Sequence, residues 1–246
     1  MRVLIAIVYC TMAFLARAQS LQLDYKAIYA RTTLDHDTPM LRAGGKRGMG
    51  WQVGYIQHLK HFDLGLAVLR YIPEPYVFFE DRKTGYSNRP QSHGLYRYLS
   101  PNLYIGKRFG LTERLFIRAN INLHYSYRQL GGLISGALNY DTVMTYNVRH
   151  RPELWHGWRF RPEGGLSVGW KILQRLNLEV GASYIYDNEP STTISIDYHI
   201  YNGPQKGDYK NRAISDGSAW ILSAGLKFNF SKYRIIITDE LKYDDK

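Results

Sequence analysis

From Leu115 to Arg128 the chain alternates between a largely apolar and a largely polar face. Leu115, Ile117, Ala119, Ile121, Leu123, Tyr125 and Tyr127 fall on one side; Phe116, Arg118, Asn120, Asn122, His124, Ser126 and Arg128 fall on the other. A period of two over such a length marks a β-strand, because successive side chains of an extended backbone point to opposite sides. The period returns near the end of the chain, where Trp220, Leu222, Ala224, Leu226, Phe228 and Phe230 oppose Ile221, Ser223, Gly225, Lys227 and Asn229. It returns again over 176–186, with Leu178, Val180, Ala182 and Tyr184 opposite Asn177, Glu179, Gly181 and Ser183. Weaker versions run over 21–31, 48–59, 62–72, 94–107 and 155–171.

The gaps between these segments alternate in length. Those at Lys60–His61, Phe109–Glu113 and Leu173–Arg175 are short; those at Thr32–Arg47, Pro73–His93, Gln129–Leu154 and Asn188–Asp216 are long. One rim of short turns and one of long loops is the asymmetry of an outer-membrane β-barrel. The expected fold is therefore all-β: an eight-stranded, antiparallel, up-and-down transmembrane barrel with four extracellular loops. A soluble barrel with its apolar face inside shares the same period. Against it, the polar face mixes glycine with charges of both signs, as suits a narrow interior filled by side chains. The apolar face also carries Trp and Tyr toward strand ends, where membrane interfaces place aromatics.

Two residues fit this pattern badly. Pro101 and Pro162 fall within expected strands, and a closed barrel has no edge to excuse a missing donor. Bulges are expected there, or strands that have left the membrane by those positions. Thr192–Tyr201 alternates once more through Ile194, Ile196, Tyr198 and Ile200, which predicts a hairpin projecting above the membrane.

The ends set the compartment. Met1–Arg2, an apolar run from Val3 to Leu15 and Ala16–Arg17–Ala18 form a basic start, a hydrophobic stretch and a small-residue cleavage site. The run is shorter than the roughly 20 apolar residues a spanning helix needs. The expected organisation is a signal peptide at 1–18, a barrel at 19–230 and a periplasmic tail at 231–246. The one cysteine, Cys10, goes with the signal, so thiol chemistry and disulfides are not expected. Loss of Arg2 and Arg17 takes the formal charge from +11 to +9. In an exported protein that balance points to anionic lipid or sugar phosphate rather than nucleic acid.

The strands carry a resemblance to a known group. The end Ala219–Trp220–Ile221–Leu222–Ser223–Ala224–Gly225–Leu226–Lys227–Phe228–Asn229–Phe230 resembles the terminal strand of outer-membrane proteins. Ala18–Gln19 and the stretch Pro101–Asn102–Leu103–Tyr104–Ile105–Gly106 are similar to small outer-membrane barrels of Bacteroidota, of the OmpA/OmpX-like or PorT-like kind. The resemblance implies an outer-membrane location, and Phe228 and Phe230 as the signal read by the barrel-assembly machinery. It also implies contact with outer-membrane lipid and lipopolysaccharide, and a role without catalysis in surface interaction, envelope integrity or a secretion complex. Here the chain continues through Ser231–Lys246 beyond the aromatic end.

Candidate chemistry is sparse. His124–Tyr125–Ser126 resembles the His-x-Ser element of lipid A deacylases, where a hydroxyl needs a base within reach. The alternation opposes this, because it turns His124 and Ser126 inward, and Tyr127 stands where that family has Asn. Asp24, Lys26, Asp63, Arg118, Arg159, Arg161, Glu163, Glu179 and Lys227 fall on the inner face. They are expected to form a neutralising network that plugs the lumen, since buried charges must be paired; an ion path is the other reading. Arg31, Arg47, Arg70 and Arg97 fall near the outer rim, where they could hold lipopolysaccharide phosphates by bidentate hydrogen bonds. The histidines show no metal-ligand spacing, so neither a metal nor another cofactor is expected.

Overall fold

The computed structural model describes residues 20–59, 62–81, 83–88, 96–130, 138–140, 142–152, 158–187, 189 and 191–230. The expected signal peptide and the tail lie outside these residues. Among the described residues twelve strands form: β1 (Ser20–Leu34), β2 (Leu41–His58), β3 (Asp63–Asp81), β4 (Tyr86–Asn88), β5 (Tyr96–Gly110), β6 (Leu115–Leu130), β7 (Leu138–Tyr140), β8 (Met144–Pro152), β9 (Trp158–Leu173), β10 (Leu176–Ile185), β11 (Thr192–Ile200) and β12 (Gly207–Asn229).

Eight of them make the barrel. β1, β2, β3, β5, β6, β9, β10 and β12 pair antiparallel in that order, and β12 closes on β1. Closure leaves no open edge along the wall, so its backbone donors and acceptors pair within the sheet apart from one interruption at Ser100 and Pro101. Of the three short gaps, the second and third, at Phe109–Glu113 and Leu173–Arg175, are tight turns at one rim. In the former, Thr112 Oγ1 accepts from the backbone N–H of Arg114 and Leu115, at 3.2 and 2.9 Å.

The wall is apolar outside and polar inside. Leu23, Trp51, Leu66, Leu103, Ile121, Leu166 and Trp220 are exposed around the barrel, while Gln22, Asp24, Lys26, Arg118, Glu163 and Glu179 are buried within it. An exterior of this kind is stable only in a solvent that is itself apolar, so this is a membrane-spanning barrel of the outer-membrane type.

The strands are longer than a crossing requires. β12 has 23 residues and β3 has 19, against the 9–11 needed to span the hydrocarbon. Their excess stands above the long-gap rim, where the expected loops prove to be largely sheet. The first of them is reduced to a turn at 35–40, because β1 runs on to Leu34 and β2 starts at Leu41. Above the wall, β11 replaces β10 as the partner of β12, from Thr192 opposite Ser215 to Ile200 opposite Gly207. β8 adds to β11, β7 to β8, and β4 to β3.

In this cap the polarity inverts. Leu41, Val77, Phe79, Met144, Tyr146, Ile196 and Tyr198 are buried against one another between the upper ends of β2 and β3 and the added strands. The ring of Phe79 lies 5.1 Å from those of both Tyr146 and Tyr198. Water surrounds the cap as lipid surrounds the wall, so the inward face, polar in the wall, is apolar in the cap. The change of surroundings falls where β12 breaks register with β1 between Ala30 and Thr32. Gly217 occupies that irregularity with a positive φ of 82°, a conformation that other residues adopt at a cost.

Neither proline sits in a bulge. Leu123 opposes Pro162 and Val68 opposes Pro101 without a shift of register. Pro162 stands one position above the last rung between β9 and β10, with its carbonyl accepting from Tyr186 N–H at 2.9 Å. Its nitrogen faces the same way, past the end of that ladder. Pro101 takes the other route: the ladder between β5 and β6 is simply interrupted at Ser100 and Pro101.

Candidate functional site

The inward positions of the eight barrel strands converge on a stack of charge. At its centre Glu163, on β9, accepts hydrogen bonds from Ser183 Oγ at 2.5 Å and His124 Nε2 at 2.6 Å, and lies 3.3 Å from Lys26 Nζ. Toward the short-turn rim, Glu179 lies 2.8 Å from Arg118 Nη1 and 2.7 Å from Lys227 Nζ. Arg118 also reaches Asp63, at 3.3 Å. Asp24 accepts from the side chain of Gln22. Buried carboxylates and cations alternate in space, which offsets part of the cost of removing each from water.

This network leaves little free space. A cavity of about 40 Å³ is lined by Asp24, Lys26, Gln52, Arg118, Glu163 and Glu179, room for a water or two. Above it, Ile28, Leu69, Tyr71, Tyr98, Ile185 and Ile221 form an apolar layer across the lumen. Tyr71 and Tyr98 stack there at 4.7 Å. Arg161 is fully enclosed beside them, donating to the Tyr71 hydroxyl and the Gly217 carbonyl and pairing with Asp187 at 3.0 Å. The cap core closes the stack at the top.

Asp24, Lys26, Asp63, Arg118, Arg161, Glu163, Glu179 and Lys227 are thus brought together in the lumen. Arg159 departs from the expected plug. Its position on β9 is inward, but it sits at the upper rim, half exposed and ion-paired with the exposed Glu189. Period two distinguishes inside from outside but says nothing of height. Phe228 and Phe230 face outward at the short-turn end, their rings 5.5 Å apart and edge to face.

His124 and Ser126 are both fully buried. His124 is engaged by Glu163, and Ser126 accepts from Ser100 Oγ at 2.7 Å. The pair required for hydroxyl activation is absent from this geometry, and neither group meets the membrane surface.

One further cluster has little signal in the sequence. Ser20 Oγ lies 3.1 Å from His58 Nε2, and His58 Nδ1 lies 2.6 Å from Asp63 Oδ1. Hydroxyl, imidazole and carboxylate stand in the order used for acyl transfer. Ser20 is wholly buried, however, and Arg108 shares the Asp63 carboxylate at 2.8 Å. The cluster is a polar closure of the short-turn mouth. The only trace of it in the sequence is that all four side chains fall on inward positions of neighbouring strands.

Arg31, Arg47, Arg70 and Arg97 all point outward near the upper limit of the apolar wall. Arg47 is opposite Tyr29, Arg70 lies between Trp51 and Leu99, and Arg97 is opposite Gln129. Arg31 approaches Asp216 at 3.9 Å. Among the described residues, no group of three His, Cys, Asp or Glu is placed to hold a metal ion.

No family model matches the chain, and no curated protein matches it in sequence. Among solved structures it is similar to Neisserial surface protein A, at 13% identity and a TM-score of 0.42 over 85% of this chain and 97% of that one. It is similar to the outer membrane protein OprG from Pseudomonas aeruginosa, at 13% identity and a TM-score of 0.44 over 87% and 97%. The Yersinia pestis outer membrane protein Ail aligns at 9% identity and a TM-score of 0.37 over 85% and 99%.

Proposed function

We propose that this protein is a sealed barrel of the bacterial outer membrane that works through its surfaces, without catalysis or conduction. The wall anchors it, the lumen is closed by paired charge, and the cap holds a rigid β-surface on the outer side. The observation that carries this reading is the interior. From Ser20 and His58 at one mouth, through Glu163 and Arg161, to Phe79 in the cap, the axis is filled by side chains with mutual partners. An ion would have to break several of these contacts, each in surroundings where an unpaired charge is costly.

The apolar exterior supports the outer-membrane location, because a closed barrel is the strand solution to crossing a bilayer. The resemblance of the last strand and of Pro101–Gly106 to small Bacteroidota barrels supports assembly through Phe228 and Phe230. It also favours a role in envelope integrity, in adhesion, or as an accessory to a secretion complex. A cap whose strands are fastened together presents a preorganised contact surface, which binds partners at a lower entropic cost than mobile loops.

Planar-bilayer recording of the purified chain tests the sealed lumen, and a silent membrane is the expected result. Reproducible conductance steps would replace this reading with a pore. Lipid A mass spectrometry, with and without the protein, is expected to show unchanged acylation; loss of an acyl chain would restore an enzyme.

A further inference from the structure

The lipid-facing wall is not uniformly convex. Across β2, β3, β5 and β6 it carries an apolar groove of about 630 Å³, bordered by Val68, Leu103, Tyr125 and Phe160. Gly54 and Ala67 are opposite one another in the register and line its base. Both positions turn their side-chain direction to the lumen, so the floor of the groove there is backbone. The interrupted ladder at Pro101 lies along the same groove.

Immediately above stands positive charge. On β3 the next outward residue after Val68 is Arg70. Arg70 is opposite Leu99, which puts Arg97 on the diagonal, about 7–8 Å away between Cα atoms. Arg47 stands outward on the flanking strand β2. Among the described residues, Arg47, Arg70 and Arg97 have no carboxylate partner, unlike the paired cations of the lumen. Guanidinium groups at the edge of an apolar belt are matched by phosphate, which they bind through two parallel hydrogen bonds. An apolar trough directly beneath a phosphate site takes an acyl chain.

We propose that Arg70 and Arg97, with the groove beneath them, bind one phosphorylated, multiply acylated glycolipid of lipid A chemistry from the outer leaflet. Its phosphate lies on the two arginines and one acyl chain lies along Val68 and Leu103. This rests on the outer-membrane reading, and it deepens that reading by giving the wall a specific lipid. Arg47 extends the cationic row toward a second phosphate. Height singles out a glycolipid, since the arginines lie at the long-gap rim, which in such barrels faces outward.

The test is native mass spectrometry of the full chain, refolded in detergent and titrated with lipid A or with phosphatidylglycerol. A heat-dependent gel shift is checked first for every variant. The intact chain is expected to retain one lipid A and to hold phosphatidylglycerol at least tenfold more weakly. Arg70→Gln with Arg97→Gln is expected to lower lipid A retention by about tenfold or more. Val68→Trp, which fills the groove and leaves the charge, is expected to lower it as well. The conservative pair Arg70→Lys and Arg97→Lys keeps the charge, loses bidentate geometry and is expected to be intermediate. Equal retention by the intact chain and the double glutamine variant would overturn the site, and equal retention of both lipids would overturn the glycolipid. A chain that never shows the gel shift fails the barrel reading instead, so the two failures are distinguishable.

Discussion

Lys26 and Glu163 stand 137 residues apart in the chain and meet inside the barrel at 3.3 Å, both almost completely buried. Neither charge could remain there alone. Replacing one member of such a pair strands the other in low dielectric, which costs about 3–5 kcal/mol, whereas removing both costs far less. Lys26→Met and Glu163→Gln are each expected to lower the urea midpoint of the refolded barrel, with the double variant more stable than Glu163→Gln alone. Equilibrium unfolding followed by tryptophan emission measures all three.

Gly169 makes room for Phe116. A Cβ at Gly169 would come within 2.1 Å of the Phe116 ring, which is fully enclosed and has nowhere to turn. Gly169→Ala is expected to destabilise the barrel by about 1–3 kcal/mol, the usual cost of overpacking. Adding Phe116→Leu is expected to recover part of that loss, and thermal unfolding of the single and double variants decides it.

The cap and the wall hold together by different means, so they are expected to fail separately. Phe79 joins the facing layers of the cap through Tyr146 and Tyr198. Phe79→Ala removes that contact at about 3–5 kcal/mol, yet touches nothing in the lumen. Limited proteolysis is expected to cleave the variant within 35–40 or 201–206, while the gel shift of the barrel persists.

Tyr198 gives the cap a dependence on alkaline pH. Its hydroxyl donates to the Pro39 carbonyl at 2.6 Å, and burial raises its pKa above the ordinary phenolic value. A group whose pKa is raised on folding stabilises the closed form fully below its ordinary value, near 10, and loses that contribution as pH rises further. Hydrogen exchange in β11 is expected to be insensitive to pH-dependent opening up to about pH 10 and to show loss of protection above it. Tyr198→Phe, which cannot ionise, is expected to remove that alkaline loss.

The barrel strands are legible in the sequence because the membrane imposes a strict rule. Side chains on the outer face must be apolar along the whole crossing, so Ile121, Leu123 and Tyr125 advertise their strand without reference to any partner. The cap obeys no such rule. Leu41 and Phe79 are apolar only on the face that meets β8 and β11, and Gly44, Gly45 and Pro73 dilute the alternation, so these stretches read as loops. Thr192–Tyr201 is the exception, because Ile194, Ile196, Tyr198 and Ile200 repeat without interruption. For the interior, period two sorts Lys26 and Glu163 to the lumen but cannot pair them, since pairing depends on the register of strands far apart in sequence. Ser20 and His58 escape notice for the same reason, and Arg159 reads as deeper than it lies.

The wall presents its apolar face to lipid and its charges to the lumen. Trp51, Trp158, Trp170 and Trp220 all lie on that outer face, each substantially exposed. The direct measurement is tryptophan emission of the full chain refolded into vesicles whose acyl chains carry bromine, with acrylamide in the water as the comparison. Strong quenching by the brominated chains and weak quenching by acrylamide is the predicted result. Emission untouched by bromine and freely quenched by acrylamide would place the aromatic face in water, and the wall could not then be lipid-facing.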